Sequence, residues 1–462
     1  MDIINNSEFP SRFKLISYYE KEWEESKNLL LNLKKFCIDE NNSIEDKFNE
    51  LSKLIQKFQI QNRSYKYEDI SLKYYISKNC SNLKEAIESY FQNNIPEFYS
   101  KILPFIIDQA LLLKERAKNK YGEQTLPLMP SRKEMKESIP KLLFLSILSN
   151  NFFCNHKDFI GQLNAAQLNL TKKREWNEVD WFKIYNCDVS VYDPVAVQRA
   201  ICLLAYFDFA YKVIKSNNNY LEKDIIVERI IFDPNEINNK LLECENVFDE
   251  NDINIHDKDM DNTYNPTQSI VNFANRNFQT GKILASATQE EVLFCVRPEL
   301  YAAMFICQRV YENEIIIISN AYKIMENTGY LNTFKFKQLK ENIIANINVI
   351  NNNENVLCLD AVFQSHYSSK SVIQDISKYY SACKYCCQKY ENPAISTGSW
   401  GCGAFWGDRA HKFMQQLISA KANNVKLFYS TFGNQKYCDS LIKLLKIIVK
   451  DKPKVSDLYN LL

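Results

Sequence analysis

Two short segments concentrate the residues that could do chemistry. The first is Gln289-Glu290-Glu291, which follows residues 278–288 and precedes the apolar run that opens at Val292. Adjacent carboxylates beside apolar sequence are uncommon, because an ionised group near a core needs a partner. Neighbouring side chains diverge along either a helix or a strand, so the two glutamates cannot serve one atom equally. The second segment, residues 396–408, reads Ser-Thr-Gly-Ser-Trp-Gly-Cys-Gly-Ala-Phe-Trp-Gly-Asp. It holds Gly398, Gly401, Gly403 and Gly407, four of the nine glycines in 462 residues. Glycine costs conformational entropy, so it collects where φ is positive or where something approaches the backbone closely. A pyrophosphate needs several N–H donors at short range, and backbone nests and helix N-termini supply them. A tight turn without a ligand uses glycine in the same way.

These segments resemble the poly(ADP-ribose) glycohydrolase family. Its signature is Gln-Glu-Glu a few residues after a glycine loop, and its second phosphate-binding loop reads Thr-Gly-Asn-Trp-Gly-Cys-Gly-Ala-Phe. The resemblance continues in order and spacing through Val271-Asn-Phe-Ala-Asn275, Thr328-Gly-Tyr330, Leu359-Asp-Ala361 and Thr431-Phe-Gly433, and covers roughly residues 125–462. It implies hydrolysis of the ribose–ribose O-glycosidic bonds of poly(ADP-ribose), with release of ADP-ribose and with no cofactor or metal. The transition state of such a reaction is oxocarbenium-like and needs an acid for the leaving oxygen and negative charge nearby. One carboxyl can donate a proton and then activate water. The resemblance gives that task to Glu291, the ribose hydroxyls to Glu290 and the adenine edge to Gln289. It puts Tyr330 and Phe432 on the adenine faces and Phe405 near the distal ribose. Asn272, Asn275, Gly281, Gly398, Ser399, Gly401 and Gly403 complete the implied substrate contacts.

The chain departs from the family pattern at defined positions. Gln279-Thr280-Gly281 stands where the family has three consecutive glycines. The Gln279 side chain is expected to crowd the diphosphate unless the loop bulges. Asn272 replaces a usual Asp, Ser399 a usual Asn, and Trp406 the glycine that follows Ala-Phe. An alternative reading is therefore a weakened or inactive relative, acting as an ADP-ribose reader or as a structural subunit of a larger assembly.

Composition and pattern place these segments. Lys+Arg 57 against Asp+Glu 56 leaves a net charge of +1, which argues against duplex nucleic acid as a partner. Fourteen cysteines without a short framework fit reduced thiols in an intracellular compartment, cytoplasm or nucleus, free or bound to a cytoskeletal or other large assembly. No secretory leader and no apolar run near the ~20 residues of a membrane span are read. Cys383-x-x-Cys386-Cys387 has metal-like spacing but no second Cys/His pair, and Cys402 reads as a small packed residue, so no metal and no thiol nucleophile are expected.

The expected architecture is α/β: a macrodomain-like mixed sheet flanked by helices, behind an N-terminal all-helical accessory region. Apolar spacing gives helices through about residue 125, a helical segment over 126–220, and alternating strands and helices over 221–462. Ser43 with Asp46 is expected to cap one helix and Asp193-Pro194 another. Strands are expected at 225–232, 269–273, 314–319, 356–362 and 425–431, and helices at 298–310 and 408–421. Residues 249–265 read as an acidic solvated loop and residues 351–355 as an Asn-rich turn. The partners implied are poly(ADP-ribose) or ADP-ribosylated proteins, with the helical region as the surface for any protein assembly.

Overall fold

The computed structural model describes residues 11–62, 75–157, 177–187, 195–216, 218–261, 267–340 and 355–462. Its centre is an eight-stranded mixed sheet in the order β3-β4-β7-β10-β6-β11-β12-β5. These strands are β3 (Met135–Pro140), β4 (Asp224–Ile231), β5 (Ile253–His256), β6 (Ser269–Phe273), β7 (Glu314–Ser319), β10 (Asn355–Leu359), β11 (Ala394–Thr397) and β12 (Lys426–Ser430). β3, β4, β7 and β10 pair antiparallel, whereas β10, β6, β11, β12 and β5 run parallel. Outside this sheet, β1 (Arg12–Lys14) pairs with β2 (Thr125–Pro127), and β8 (Met325–Thr328) with β9 (Lys335–Leu339).

The Ile run of β7 explains the layering. All six residues of β7 are buried, as expected of a strand covered on both faces. Successive side chains point to opposite faces. Ile316 and Ile318 join one apolar cluster, and Ile315 and Ile317 join the other. β10 divides likewise, with Val356 and Cys358 on one face and Leu357 and Leu359 on the other.

The first cluster unites that face with the N-terminal helices α1 (Glu20–Ile38), α2 (Ile44–Asn62), α3 (Ser81–Phe91), α4 (Leu103–Leu111), α5 (Leu113–Tyr121), α6 (Lys141–Phe152), α7 (Phe182–Asn186) and α8 (Val195–Lys215). α2 buries Phe48, Leu51, Ile55 and Phe58 along one stripe, and Ser43 Oγ accepts from Asp46 N–H at 3.1 Å at its start. The expected cap at Asp193-Pro194 lies outside the described residues. α10 (Gln289–Val296) and α11 (Tyr301–Ile306) also pack here. The opposite face is covered by α9 (Pro234–Leu242), α12 (Ser369–Lys389) and α13 (Arg409–Ala422), with α14 (Gln435–Asp451) and α15 (Val455–Tyr459) beyond them. No helix among the described residues is long and apolar enough to cross a membrane.

Two expectations are corrected. Residues 135–140, inside the segment read as helical over 126–220, form edge strand β3 against β4. Residues 253–256, inside the stretch read as an acidic loop, form edge strand β5 against β12. Ile253 is buried there while Asn254, Ile255 and His256 stay at least partly open, so the strand carries too little apolar pattern to stand out. Of the expected Asn-rich turn, residues 351–354 lie outside the described residues, and Asn355 opens β10.

The parallel half of the sheet decides where a site can form. β6, β10, β11 and β12 end on one edge, and a loop follows each of them. Ligands of open α/β sheets bind in the crevice beyond the C-terminal strand ends.

Candidate active site

Three of those loops and one hairpin line a cleft of about 90 Å³. Phe273 and Ala274 enter from the end of β6, Ala361 from the loop after β10, and Trp400, Gly401, Gly403, Ala404 and Phe405 from the loop after β11. Thr288 and Gln289 contribute the start of α10, and Tyr330 comes from the β8–β9 connection.

The glycine loop is built by packing from below. Trp400 is fully buried and its indole Nε1–H donates to Leu359 O at 2.9 Å. Lys412 reaches the same place from α13, lies 5.1 Å from the Trp400 ring centroid, and pairs with Asp375, both side chains fully buried. Asp375 also accepts from Val362 N–H at 2.9 Å, which ties the loops after β10 and β11 together. Gly401 has φ +73°, and a Cβ there would lie 2.7 Å from Ala361 Cβ, so a side chain is excluded twice over. A Cβ at Gly403 would meet nothing within 4 Å, so that backbone faces open space. The N–H groups of Trp400, Cys402, Trp406 and Gly407 are spent on turns within the loop. Those of Gly401, Gly403, Ala404 and Phe405 donate to no protein acceptor in the described residues. This leaves a short row of free donors on the cleft wall, the geometry that suits an anionic group.

The Gln-Glu-Glu segment opens α10, and each side chain has a defined partner. Thr288 is the N-cap, and Glu291 closes a capping box on it: its carboxylate accepts from Thr288 N–H at 3.0 Å and from the Thr288 hydroxyl. Glu290 turns towards β6. One oxygen accepts from Asn272 Nδ2 at 3.4 Å, and the other from the N–H groups of Gln279 and Asn275 at 2.9 and 3.3 Å. Burial holds the Glu290 carboxyl well above the usual carboxylate range, and the neighbouring Glu291 pushes the same way against these three donors. Gln289 spends its amide on β6, accepting from Phe273 N–H at 2.8 Å and donating to Val271 O at 2.9 Å. The two glutamates thus sit directly behind the cleft lining, and Gln289 is part of it.

The altered first loop keeps the backbone that glycine would favour. Gln279, Thr280 and Gly281 all have positive φ, at 51°, 57° and 87°. The expected crowding by Gln279 does not occur: its side chain is fully buried and points away from the cleft, towards Arg199. Arg199, also fully buried, donates to Gln279 Oε1 at 2.6 Å, to the Tyr301 hydroxyl at 2.9 Å, and to the carbonyls of Leu284 and Ser286. It therefore clamps the segment leading into Thr288. Gly281 spends its own N–H on Asn277 O, and its carbonyl accepts from Glu178 N–H. Asn272 is fully buried beneath Glu290, and Asn275 caps its own turn by accepting from Asn277 N–H at 3.0 Å.

The remaining expected residues gather at the rim. Tyr330 and Phe432 meet edge to face at 5.4 Å between centroids. A purine between two aromatic faces needs about 7 Å, two contact distances of ~3.5 Å, so a base entering between them must part these rings. Phe405 also lines the cleft and packs on Phe363 at 5.7 Å. Gly398 lies under the loop, where a Cβ would meet Ser430 O at 2.9 Å, and Ser399 is half-buried beside it. Cys402 is packed: burial pushes its thiol up to about 12. Cys383 and Cys386 lie inside α12 and face the core.

Thr288 and Arg199 were not singled out from sequence. Thr288-x-x-Glu291 is a readable capping box. Arg199 carries no signal, since it lies in an apolar helix 80 residues from its partner Gln279.

Residues 235–439 match the family model described as poly(ADP-ribose) glycohydrolase, macro domain fold, and residues 90–229 match the helical domain of the same family. The chain belongs to the poly(ADP-ribose) glycohydrolase family. Strands β5 to β12 fall in the macro domain match, and helices α4 to α8, with β3 and most of β4, fall in the helical domain match. Among curated proteins, poly(ADP-ribose) glycohydrolase 1 of Caenorhabditis elegans is 29% identical over 198 residues, 38% of this chain and 25% of that protein. Poly(ADP-ribose) glycohydrolase 2 of the same organism is 25% identical over 198 residues, covering 38% and 40%. Poly(ADP-ribose) glycohydrolase 1 of Arabidopsis thaliana is 22% identical over 262 residues, covering 42% and 48%. The similarity thus spans less than half the length of each of these relatives.

Proposed function

We propose that the protein is a glycosidase-type hydrolase that cleaves the ribose–ribose bond of poly(ADP-ribose) and releases ADP-ribose. The observation that carries this reading is the row of free N–H donors at Gly401, Gly403, Ala404 and Phe405, facing the same cleft as the capped turn that bears Glu290 and Glu291. The donors take the diphosphate. Tyr330 and Phe432 open to take the adenine, and Phe405 lies against the distal ribose. Glu291 leaves its cap on Thr288 and protonates the bridging oxygen as the anomeric carbon–oxygen bond breaks. The resulting carboxylate then takes a proton from the water that adds to the anomeric carbon. Glu290 holds the first loop through Gln279 and Asn275 and lends the site its second carboxyl.

A second reading is favoured by one observation: both glutamates are engaged in structural hydrogen bonds and neither lines the cleft. On this reading the protein binds ADP-ribose without cleaving the polymer. Incubation of the purified chain with automodified polymer separates the two, with Glu291→Gln alongside. ADP-ribose released by the wild type alone supports the hydrolase. Binding of ADP-ribose by both proteins with no release supports the reader. Neither binding nor release refutes both.

A further inference from the structure

The cleft continues into exposed aromatic surface. Phe363 is 52% exposed, Tyr367 67% and Trp406 83%. Phe363 packs on the Phe405 ring, His366 Nε2–H donates to Phe405 O at 2.7 Å, and Tyr367 leans on His411 in the first turn of α13 at 4.8 Å. Trp406 follows Phe405 directly and stands at φ +59°. That backbone disfavours a bulky side chain, and an open indole loses the benefit of burial, so two unfavourable features coincide at one residue. The neighbouring charge is cationic in character. Lys370 and Arg409 are exposed and make no ion pair in the described residues, whereas Asp408 is committed to the N-cap of α13.

We propose that Phe363, Tyr367 and Trp406 form a second nucleotide subsite, which stacks the adenine of the ADP-ribose unit on the far side of the linkage presented to Glu291. The occupant follows from three properties. The patch adjoins the cleft through Phe405, which lines it and packs on Phe363. Open aromatic rings bind any base through its π-face. Lys370 and Arg409 complement the phosphates that such a unit must carry. The inference rests on the reading of the cleft as an ADP-ribose site, and it predicts preference for polymer over monomer.

The test measures binding of ADP-ribose and of a purified two-unit oligomer, in the Glu291→Gln background so that neither is consumed. W406G is a mild change, because glycine accepts the positive φ. W406F keeps a ring. The expected result is oligomer binding about tenfold weaker in W406G, little changed in W406F, and monomer binding equal in all three proteins. Unchanged oligomer affinity in W406G overturns the proposal, as does an equal loss for monomer and oligomer. A loss confined to ADP-ribosylated protein, with free oligomer unaffected, assigns the patch to a protein partner and also overturns it. If the monomer does not bind at all, the cleft reading fails and the subsite falls with it; monomer binding with an unaffected oligomer sinks the subsite alone.

Discussion

Restoring glycine at two adjacent positions of the first loop should move stability in opposite directions. Gln279 and Thr280 both occupy the left-handed region, at φ 51° and 57°. Such a conformation costs a non-glycine residue roughly 1–2 kcal/mol. Glycine removes that cost but adds about 0.5–1 kcal/mol of unfolded-state entropy. Thr280 is exposed and its side chain makes no hydrogen bond among the described residues, so Thr280→Gly should stabilise by about 0.5–1 kcal/mol. Gln279 gains the same relief but loses its 2.6 Å hydrogen bond from the buried Arg199 guanidinium. A hydrogen bond to a charged group contributes roughly 1.5–3 kcal/mol, so Gln279→Gly should destabilise by about 1–2 kcal/mol net. Scanning calorimetry should therefore place the two transitions on either side of wild type. If Gln279→Gly raises Tm as much as Thr280→Gly does, the clamp from Arg199 contributes nothing and the account of this loop is wrong.

Three further outcomes follow from the site. Burial and Glu291 hold the Glu290 carboxyl high. As pH rises past the ordinary carboxyl value, the unfolded chain ionises while folded Glu290 keeps its proton, so stability falls until the raised folded value is passed. Glu290→Gln should remove a slope of up to ~1.4 kcal/mol per pH unit in that window, measured as Tm against pH; an unaltered slope counts against the burial argument. Lys412→Met leaves Asp375 buried without its partner and should cost about 3–5 kcal/mol by denaturant unfolding, with a loss well under 1 kcal/mol contradicting the brace under the glycine loop. Asn272→Asp replaces a donor to Glu290 with a second acid, so it should raise the Glu290 carboxyl further and lower stability most at high pH; a variant indistinguishable from wild type across pH would place Asn272 elsewhere.

Much of the framework is readable because burial imposes period. The isoleucines of β7 and the apolar run of β10 suit a doubly covered sheet, and Leu143, Leu145 and Leu148 mark a helix sunk in the core. The edges are harder. β3 is part polar and ends in Pro140, and β5 exposes most of its residues, so neither carries the contrast that distinguishes a strand from a loop. In the site, glycines and glutamates announce themselves by type, and Gly401 and Gly403 do border the cleft. What pattern cannot give is direction. Nothing in the order of residues 279–281 says that Gln279 turns inward to an arginine 80 positions away, nor that Gly281 spends its N–H on its own turn.

The central claim is that the free backbone donors after β11 receive a diphosphate. With nine glycines in 462 residues, selective 15N-glycine labelling reads that claim almost residue by residue. Addition of ADP-ribose should shift the amide signals of Gly401 and Gly403 strongly downfield, as new charge-assisted hydrogen bonds form, while Gly122 at the end of α5 stays in place. Saturable binding of ADP-ribose that leaves the Gly401 and Gly403 signals unmoved would contradict the account.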